Sequence, residues 1–317
     1  MKKFHIIKRA YIRVICALLL ALASLVLFII NAKFSEEFTG GVNISILTQV
    51  DADTIQTKLA NYLANQGYTN TNIHINQTAE EVQIKINASL ENDEKVAELS
   101  KDVQNFLTSE NLVSSADDLI GQAIIGPSVG AYMKTSAFQA LIVGMLLMVI
   151  YMLFAFAKIR KDIPAQILGI SVLCVLVFNV LITLGAYGLR MMFNSTIQVD
   201  TVFIIAVLTV IAYGINDVIV IFDRVRENIL RHAKDKNILI GKVIEDSLRQ
   251  TMRRSIGTSL STLLVLISMF IFGTGVLQQF AFTVGIGVIA AAFGSIFVGG
   301  PLAYLLMGKF KSEVSKL

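Results

Sequence analysis

The residue best placed to do chemistry is Asp217, an acid inside an apolar run that starts near Thr201. The charged residues that follow begin at Asp223, six positions later, which is about 9 Å along a helix. A carboxylate at that depth in a bilayer is costly and marks a functional site by default. Because a low dielectric disfavours the charged form of a carboxyl group, the position predicts a proton relay. The alternative is a structural acid that pairs with a neighbouring span and never titrates.

Four other residues are candidates to assist Asp217. Tyr213 lies one helical turn earlier on the same face, and Asn216 adjoins the acid. Both side chains can hydrogen-bond a carboxyl group, and both are equally suited to packing between helices. Arg253 and Arg254 open a later apolar run, from which a guanidinium group can reach inward. Either arginine is a candidate ion-pair partner for the acid; the alternative is ordinary anchoring at the membrane surface.

Asp200 and the charged residues after the apolar run carry a weaker signal. Asp200 stands at the start of a predicted helix, where an acid is favourable. It is expected to be a solvated end residue, with a proton entry point as the alternative. Residues 223–231 place opposite charges at i+3 and i+4 spacing, which is typical of a solvated helix face. A docking surface for a cytoplasmic partner is the alternative there.

Catalysis by this chain is not expected. The sequence contains no nucleotide-binding loop of the Gly-Lys-Ser/Thr type and no evident nucleophile–base pair. Its two cysteines lie in apolar runs without metal-ligand spacing, so neither a metal nor a cofactor is expected. An ion gradient would have to supply the energy, at about 2.3 kcal/mol per charge for each 100 mV.

The composition is that of a polytopic membrane protein. Of the 317 residues, 55% are hydrophobic and only 16% are charged, a combination that soluble domains rarely show. The net charge of +4 conceals a split, because residues 34–134 carry fourteen acidic side chains against five lysines. The basic excess elsewhere therefore indicates membrane topology rather than nucleic-acid binding.

The sequence predicts six transmembrane helices. The apolar runs cover residues 14–30, 136–157, 164–188, 199–222, 255–273 and 279–307. Basic residues are concentrated at the N-terminus, in residues 158–162 and 223–254, and in the C-terminal tail, which is every second connection. The positive-inside rule places these parts, and so both termini, in the cytoplasm. The first run resembles a signal peptide but is long enough to span a bilayer, so we expect it to stay uncleaved.

The predicted organisation has five parts. They are the cytoplasmic N-terminus with the first span (residues 1–33), an external domain (34–125), a hinge (126–135), a five-helix transmembrane bundle with a cytoplasmic loop at 223–254 (136–307), and a cytoplasmic tail (308–317).

The external domain is predicted to be a small α+β fold. Alternating apolar residues predict strands at residues 42–46, 73–75, 82–86 and 119–125. Helices are predicted over residues 54–66, with Asp53 as the N-terminal cap and Gly67 at the end, and after Asp93, again with that acid as the cap. The order β-α-β-β-α-β is that of the ferredoxin-like motif. One sheet face would be covered by helices, and the other would be free to meet a partner or substrate.

Glycines mark two further places. Gly126, Pro127 and Gly130 precede the second span and permit a bend, either as a plain linker or as the hinge between the external domain and the membrane. The last span contains several glycines that favour close helix packing over a sliding surface: Gly285, Gly287, Gly294, Gly299 and Gly300.

Several motifs together resemble one family. Residues 215–228, Ile-Asn-Asp-Val-Ile-Val-Ile-Phe-Asp-Arg-Val-Arg-Glu-Asn, are similar to the Asn-Asp…Asp-Arg-x-Arg-Glu-Asn signature of the SecF family. Phe-Thr-Gly-Gly at 38–41, Gly-Pro-Ser-Val-Gly at 126–130 and Phe-Gly at 272–273 also match that family. The likeness covers nearly the whole chain. SecF is the smaller subunit of the SecDF complex, which resembles the RND superfamily of proton-driven transporters.

The resemblance implies more than the spacing does. It implies a protein of the bacterial cytoplasmic (inner) membrane that uses the proton gradient to promote polypeptide export. Asp217 would conduct protons, and Arg254 is the best match to a family arginine implicated with it. The external domain would contact the emerging unfolded polypeptide. SecD, the SecYEG channel, YajC and YidC are the implied partners.

The chain also departs from the family pattern. Residues 35–38 read Ser-Glu-Glu-Phe where relatives often have Gly-Ile-Asp-Phe, and Phe178-Asn179 replaces a His-Asp pair in the third span. Asp217 is then the one acid clearly inside the membrane, and any further titrating partner would come from another subunit.

Two other functions stay open: an RND-type exporter of small molecules or lipids, and a non-transporting assembly scaffold. Exporters of that type usually carry a second external domain and more spans.

Overall fold

A computed structural model gives the fold of the chain. It describes residues 6–48, 50–68, 71–77, 81–88, 90, 92–113, 118–155, 165–194, 196–231 and 240–314. The described residues form two compact units. The membrane unit takes those within Met1–Ile30, Leu141–Leu189 and Ile205–Leu317, and the sheet unit takes those within Asn31–Ala140 and Arg190–Ile204.

Helices make up most of the described chain. A 3₁₀ turn at Ile7–Arg9 precedes the first helix, and a π-helical turn at Ser295–Gly299 separates the last two. In chain order the elements are α1 (Ala10–Asn31), α2 (Glu36–Thr39), β1 (Gly41–Leu47), α3 (Ala52–Asn65), β2 (Thr71–Gln77), β3 (Glu81–Ala88), α4 (Asp93–Ser109), β4 (Leu119–Ile125), α5 (Pro127–Ala155), α6 (Ala165–Phe193), α7 (Thr201–Arg231), α8 (Ile240–Phe272), α9 (Gly275–Gly294) and α10 (Gly300–Val314).

Six helices are long and apolar enough to cross a membrane, as the hydropathy pattern predicts. Within the described ranges they are Ile7–Asn31, Pro127–Tyr151, Ile167–Phe193, Thr201–Arg231, Ile240–Phe272 and Gly275–Gly308. The chain is therefore a multi-pass helical membrane protein with one small sheet region.

Two spans, α7 and α8, continue into the predicted cytoplasmic loop. Residues 223–231 and 240–254, predicted as parts of a loop, are helical turns of α7 and α8. Lys, Arg and Glu are good helix formers, and the predicted charge pairs form, with Arg226 3.5 Å from Asp223 and Arg231 2.6 Å from Glu227. The rest of that loop, residues 232–239, lies outside the described residues, as does the connection 158–162.

The sheet has four antiparallel strands in the order β2-β3-β1-β4. Each predicted strand is present, and β4 covers residues 119–125 as expected. Strand β1 is central, pairing with β3 (Gly41 opposite Asn87) and with β4 (Gly41 opposite Ile125). The segment Arg190–Ile204 also belongs to this unit, because Ser35 donates its N–H to the Val199 carbonyl at 2.9 Å.

One face of the sheet carries the core. The alternate residues Val42, Ile44 and Ile46 of β1 are buried together with the apolar faces of α3 and α4. The predicted face of α4 is confirmed, since its five apolar residues (Val96, Leu99, Val103, Phe106, Leu107) are all buried. The opposite sheet face is polar and half-buried, with Asn43 and Ser45 on β1, His74 on β2 and Lys85 on β3.

The predicted helix caps are wrong for both acids, although Gly67 ends α3 as expected, at a φ of 92°. Helix α3 starts before Asp53, at Ala52, whose N–H donates to Gln77 Oε1 at 2.9 Å. Helix α4 starts at Asp93 itself. The Asp93 carboxylate instead accepts a 2.9 Å hydrogen bond from the Ser128 hydroxyl. At α3, a side chain distant in sequence therefore takes the place of the local cap.

The N-terminus of the membrane unit is held by a buried acid on α8. Glu245 accepts hydrogen bonds from the backbone N–H groups of Ile6 at 3.0 Å and Ile7 at 2.8 Å. Arg249 lies 3.1 Å from the same carboxylate. The first N–H groups of a helix have no partner within it, so Glu245 satisfies the start of the first span from another helix.

The glycines of the last span pack closely, as predicted, at four of five positions. A Cβ atom at Gly287 would lie 2.0 Å from Val210, and one at Gly300 would lie 2.7 Å from Leu248. Gly294 and Gly299 are similarly close to α6, while Gly285 has open space around it. Most of these glycines therefore let neighbouring helices approach.

Glu36 is a buried acid in the sheet unit. Its Oε1 accepts a 2.9 Å hydrogen bond from Asn43 and lies 3.6 Å from Lys85 Nζ, while only 1% of the residue is exposed. Burial raises the pKa of Glu36 above its ordinary value of 4.5, because desolvation outweighs the attraction of Lys85. The folded sheet unit therefore binds this proton more tightly than the unfolded chain does.

Glu36→Gln is expected to stabilise the sheet unit at neutral pH and to reduce its pH dependence. With a raised folded-state pKa, the free energy of unfolding falls as the pH rises from about 4.5 through the folded pKa. Hydrogen exchange of the β1 and β3 amides in the full chain, corrected for intrinsic rates, measures this. Glu81→Gln, at the exposed start of β3, should keep the wild-type pH dependence. An unchanged profile in Glu36→Gln would contradict the assignment.

Candidate functional site

Asp217 lies on the buried side of α7, with 4% of the residue exposed. Its neighbours along the helix, Ile215, Val218 and Ile221, are buried as well. Its polar contact is with α8, where Ser259 Oγ donates to Asp217 Oδ2 over 3.5 Å. That distance is long for a hydroxyl donor, so within the described part of the chain the buried acid has one weak hydrogen-bond partner.

A row of hydroxyl groups continues from this contact. Tyr213 OH lies 3.5 Å from Ser259 Oγ and 3.4 Å from Thr262 Oγ1. The four groups thus alternate between α7 and α8 in the order Asp217, Ser259, Tyr213, Thr262. Hydroxyl groups both donate and accept hydrogen bonds, so such a row can move a proton without moving a side chain far.

A cavity of about 470 Å³ lies on the other side of the acid, towards Arg231. Its wall includes Val220, which is three residues, or about 4.5 Å of helix, beyond Asp217. The charged side chains in its wall are Asp223, Arg224, Glu227 and Arg254. The buried acid therefore stands between a row of hydroxyls and a charged cavity.

The predicted helpers of Asp217 are placed unequally. Tyr213 joins the site through Ser259, as a hydrogen-bonded neighbour. Asn216 is exposed on a different side of α7 from Asp217, because consecutive helical residues differ by about 100°. It shares its exposed stripe with Thr209 and Ala212. Among the described residues, no Lys or Arg nitrogen lies within 4.0 Å of the Asp217 carboxylate. Arg254 lines the cavity and Arg253 is exposed, so the ion pair stays a prediction.

Asp200 is buried rather than solvated, which corrects one expectation. It does stand at a helix start, and its Oδ1 accepts a 2.8 Å hydrogen bond from the N–H of Phe203. The adjacent N–H of Thr201 is taken by Glu37 at 2.7 Å. Burial raises the pKa of Asp200, although the Phe203 hydrogen bond opposes that effect. Asp200 belongs to the sheet unit, where it caps α7.

The predicted hinge residues form a close corner. Pro127 is the first residue of α5, where its missing N–H costs nothing. A Cβ at Gly126 would lie 2.0 Å from the Asp93 carboxylate, and one at Gly130 would lie 3.0 Å from the Gly40 nitrogen. Gly130 is therefore needed for the close approach of the two backbones, whereas the Asp93 side chain next to Gly126 can move aside. Bending at this corner stays a prediction.

Residues 108–309 match a family model described as "Protein export membrane protein SecD/SecF, C-terminal". The chain belongs to the SecF family. The family expected from the motifs at 38–41, 126–130 and 215–228 is thereby confirmed.

Full-length relatives agree with the SecF assignment. The protein translocase subunit SecF of Calditerrivibrio nitroreducens is 30% identical over 296 residues, covering 92% of this chain and 90% of the relative. The subunit SecF of Acidaminococcus fermentans is 27% identical, covering 98% and 100%. The crystal structure of SecDF from Thermus thermophilus matches with a TM-score of 0.74 at 25% identity, covering 96% of this chain and 39% of the larger one.

Two features of this SecF chain were not predicted from the sequence. Ser259 and Thr262 contribute to the hydroxyl row, and the signal that marks them is a polar stripe, Ser255-Ser259-Thr262, at i, i+4 and i+7 in an apolar span. Asn179, noted only as a replacement for an acid, is fully buried on α6. With its amide nitrogen turned towards α9, it lies 3.0 Å from the Ala290 carbonyl.

Proposed function

We propose that this SecF chain couples the proton gradient to polypeptide export by the Sec translocase of the bacterial cytoplasmic membrane. One observation carries the proposal: Asp217 is a buried acid with hydroxyl groups on one side and a charged cavity on the other. The names of the relatives, protein translocase subunits, support the choice of process.

In the proposed relay, a proton enters from the outer side along the hydroxyl row. Each hydroxyl of Thr262, Tyr213 and Ser259 accepts one proton and passes on another. The proton binds Asp217 Oδ2 and neutralises the carboxylate, which a low dielectric favours. Release follows into the charged cavity and from there to water at the inner surface.

The proposed coupling uses the two charge states of Asp217. When the acid is charged, the guanidinium group of Arg254 is drawn inward from the cavity wall, and protonation releases it. Because Ser259 and Arg254 lie on the same helix, the exchange shifts α8 against α7. The external domain then changes position and favours outward movement of the exported chain. The corner at Gly126, Pro127 and Gly130 is the proposed pivot.

The finer architecture is also part of the proposal. The strand order β2-β3-β1-β4 with two helices on one face supports a ferredoxin-like external domain. The basic connections support cytoplasmic termini. SecD is the proposed partner in the membrane, because the Thermus thermophilus relative named SecDF is 28% identical over 96% of this chain and carries it within a longer protein. SecYEG, with YajC and YidC, is the proposed assembly.

Export into sealed membrane vesicles tests the proposal. Vesicles lacking this chain are compared with vesicles containing it together with SecD, with and without an imposed proton gradient. We expect the gradient to stimulate export only when the chain is present, and a protonophore to remove the stimulation. A sodium ionophore serves as the control and should have no effect. Stimulation that survives the protonophore, or that needs sodium, would contradict proton coupling.

A further inference from the structure

A second cavity lies in the sheet unit and has no part in the proposed relay. Its volume is about 350 Å³. The polar side chains of its wall come from the segment after α1 (Lys33, Thr39), from β2 (Asn72, His74), from β3 (Asn87) and from the segment before α7 (Gln198).

The positions of two wall residues in the chain indicate how close this cavity lies to the membrane surface. Lys33 follows the last residue of α1 by two positions, and Gln198 precedes α7 by three. The two segments are tied together, because Val199 donates its N–H to the Lys33 carbonyl at 2.7 Å. Since α1 and α7 are both membrane-spanning candidates, Lys33 and Gln198 follow and precede predicted spans by only a few residues. Such positions are at the level of the lipid headgroups.

The charge of the wall is positive. Lys33 is the basic side chain of this wall, and it is exposed. Burial, with Lys33 and Lys85 nearby, lowers the pKa of His74, so at neutral pH this imidazole is both a donor and an acceptor. The nearby acids have other partners: Glu36 contacts Lys85 and Asn43, and Glu37 accepts the N–H of Thr201.

One polar atom at the wall lacks a partner within the described residues. Asn87 is 8% exposed, and its Nδ2 donates to the Phe34 carbonyl at 2.8 Å, while its Oδ1 accepts no hydrogen bond. A buried acceptor without a donor is unfavourable, because it has lost its hydrogen bonds to water. A small donor that enters the cavity and meets this oxygen, after a slight turn of the amide, would remove that cost.

We propose that this cavity binds the headgroup of a membrane phospholipid. The phosphate lies against Lys33 and the amide of Asn72, and an ammonium or hydroxyl group of the headgroup donates towards Asn87. A lipid is favoured over free phosphate because the wall is at headgroup level, where lipid phosphate is concentrated. The donor requirement selects ethanolamine and glycerol headgroups over choline, whose quaternary nitrogen has no hydrogen to donate.

Native mass spectrometry of the full chain in detergent tests this site. Phosphatidylethanolamine, phosphatidylglycerol and phosphatidylcholine with the same acyl chains are added at equal concentrations. We expect the first two to occupy the protein several-fold more than phosphatidylcholine. Lys33→Gln removes a charged contact of an exposed side chain and should weaken their binding about threefold. Asn72→Ala should weaken it less. Both residues are exposed, so both variants should fold.

Lys101→Gln is the matched control, because Lys101 is exposed on α4 in the same unit but outside this wall. It should leave lipid binding unchanged. Equal occupancy by all three lipids, or an equal loss in Lys101→Gln and Lys33→Gln, would overturn the proposal. Displacement of the lipid by inorganic phosphate at the same concentration would assign the site to a free anion and would also overturn it.

Discussion

Asp217→Asn is expected to abolish the part of export that depends on the proton gradient and to leave the remainder unchanged. Asparagine has nearly the same shape and can still accept the hydrogen bond from Ser259, but it cannot bind and release a proton. The packing of α7 against α8 should survive, because an amide is less costly to bury than a carboxylate. Proton flux into vesicles should fall to the level of vesicles without the chain. Export and flux are measured on the same preparation.

Two further variants separate titration from packing. Asp217→Glu keeps an ionisable group and should retain part of the gradient-dependent export. Ser259→Ala removes the hydroxyl 3.5 Å from the acid and should slow proton transfer while keeping the acid itself. If Asp217→Asn supports full gradient-dependent export, the relay is wrong. If it keeps normal proton flux and loses only assembly with SecD, Asp217 has a packing role.

Gly41→Ala is expected to disrupt the sheet unit. Gly41 has a φ of 154°, and a Cβ there would lie 2.1 Å from the Ile86 carbonyl oxygen. The backbone conformation alone costs a residue with a side chain about 1–3 kcal/mol, and the clash adds to this by forcing β3 away from β1. A total of about 3 kcal/mol is a large part of the stability of a small domain. Hydrogen exchange of β1 and β3 in the full chain should rise strongly.

Gly121→Ala is the matched control in the same sheet. A Cβ at Gly121, on β4, would meet no atom within 4 Å. Exchange in β1 and β3 should therefore stay at the wild-type level. If β1 and β3 exchange at the same rate in Gly41→Ala as in Gly121→Ala, the sheet tolerates a side chain at Gly41. That result would contradict the clash expected with the Ile86 carbonyl oxygen.

The sequence predicts most of the fold because its signals are local. The alternation of Val42, Ile44 and Ile46 sets the period and the buried face of β1, and the six apolar runs are long enough to identify the spans. The helix starts near Asp53 and Asp93 could not be predicted in the same way. Gln77 supplies the contact at one start, and Ser128 binds the acid at the other; neither is near in sequence.

The candidate site was predictable only in part, for a related reason. Asp217 stands out because a single acid interrupts an apolar run. Its contact with Ser259 depends on how α7 crosses α8, 42 residues apart in sequence. The spacing of Tyr213 gives the correct face, whereas Asn216 is adjacent in sequence and lies on a different, exposed side. Burial of Asp200 also depends on tertiary contacts that no local pattern reports.

The exposed stripe on α7, formed by Thr209, Ala212 and Asn216, has a consequence for how long an unassembled copy survives in the cell. A copy inserted without a partner would present the Asn216 amide to hydrocarbon, an unfavourable environment for a polar group. Such an orphan copy would be less stable than an assembled one and open to membrane proteases. Degradation of the unassembled copies would then match the amount of this chain to the amount of its partner. The same stripe would therefore serve both assembly and the control of the ratio of the two subunits.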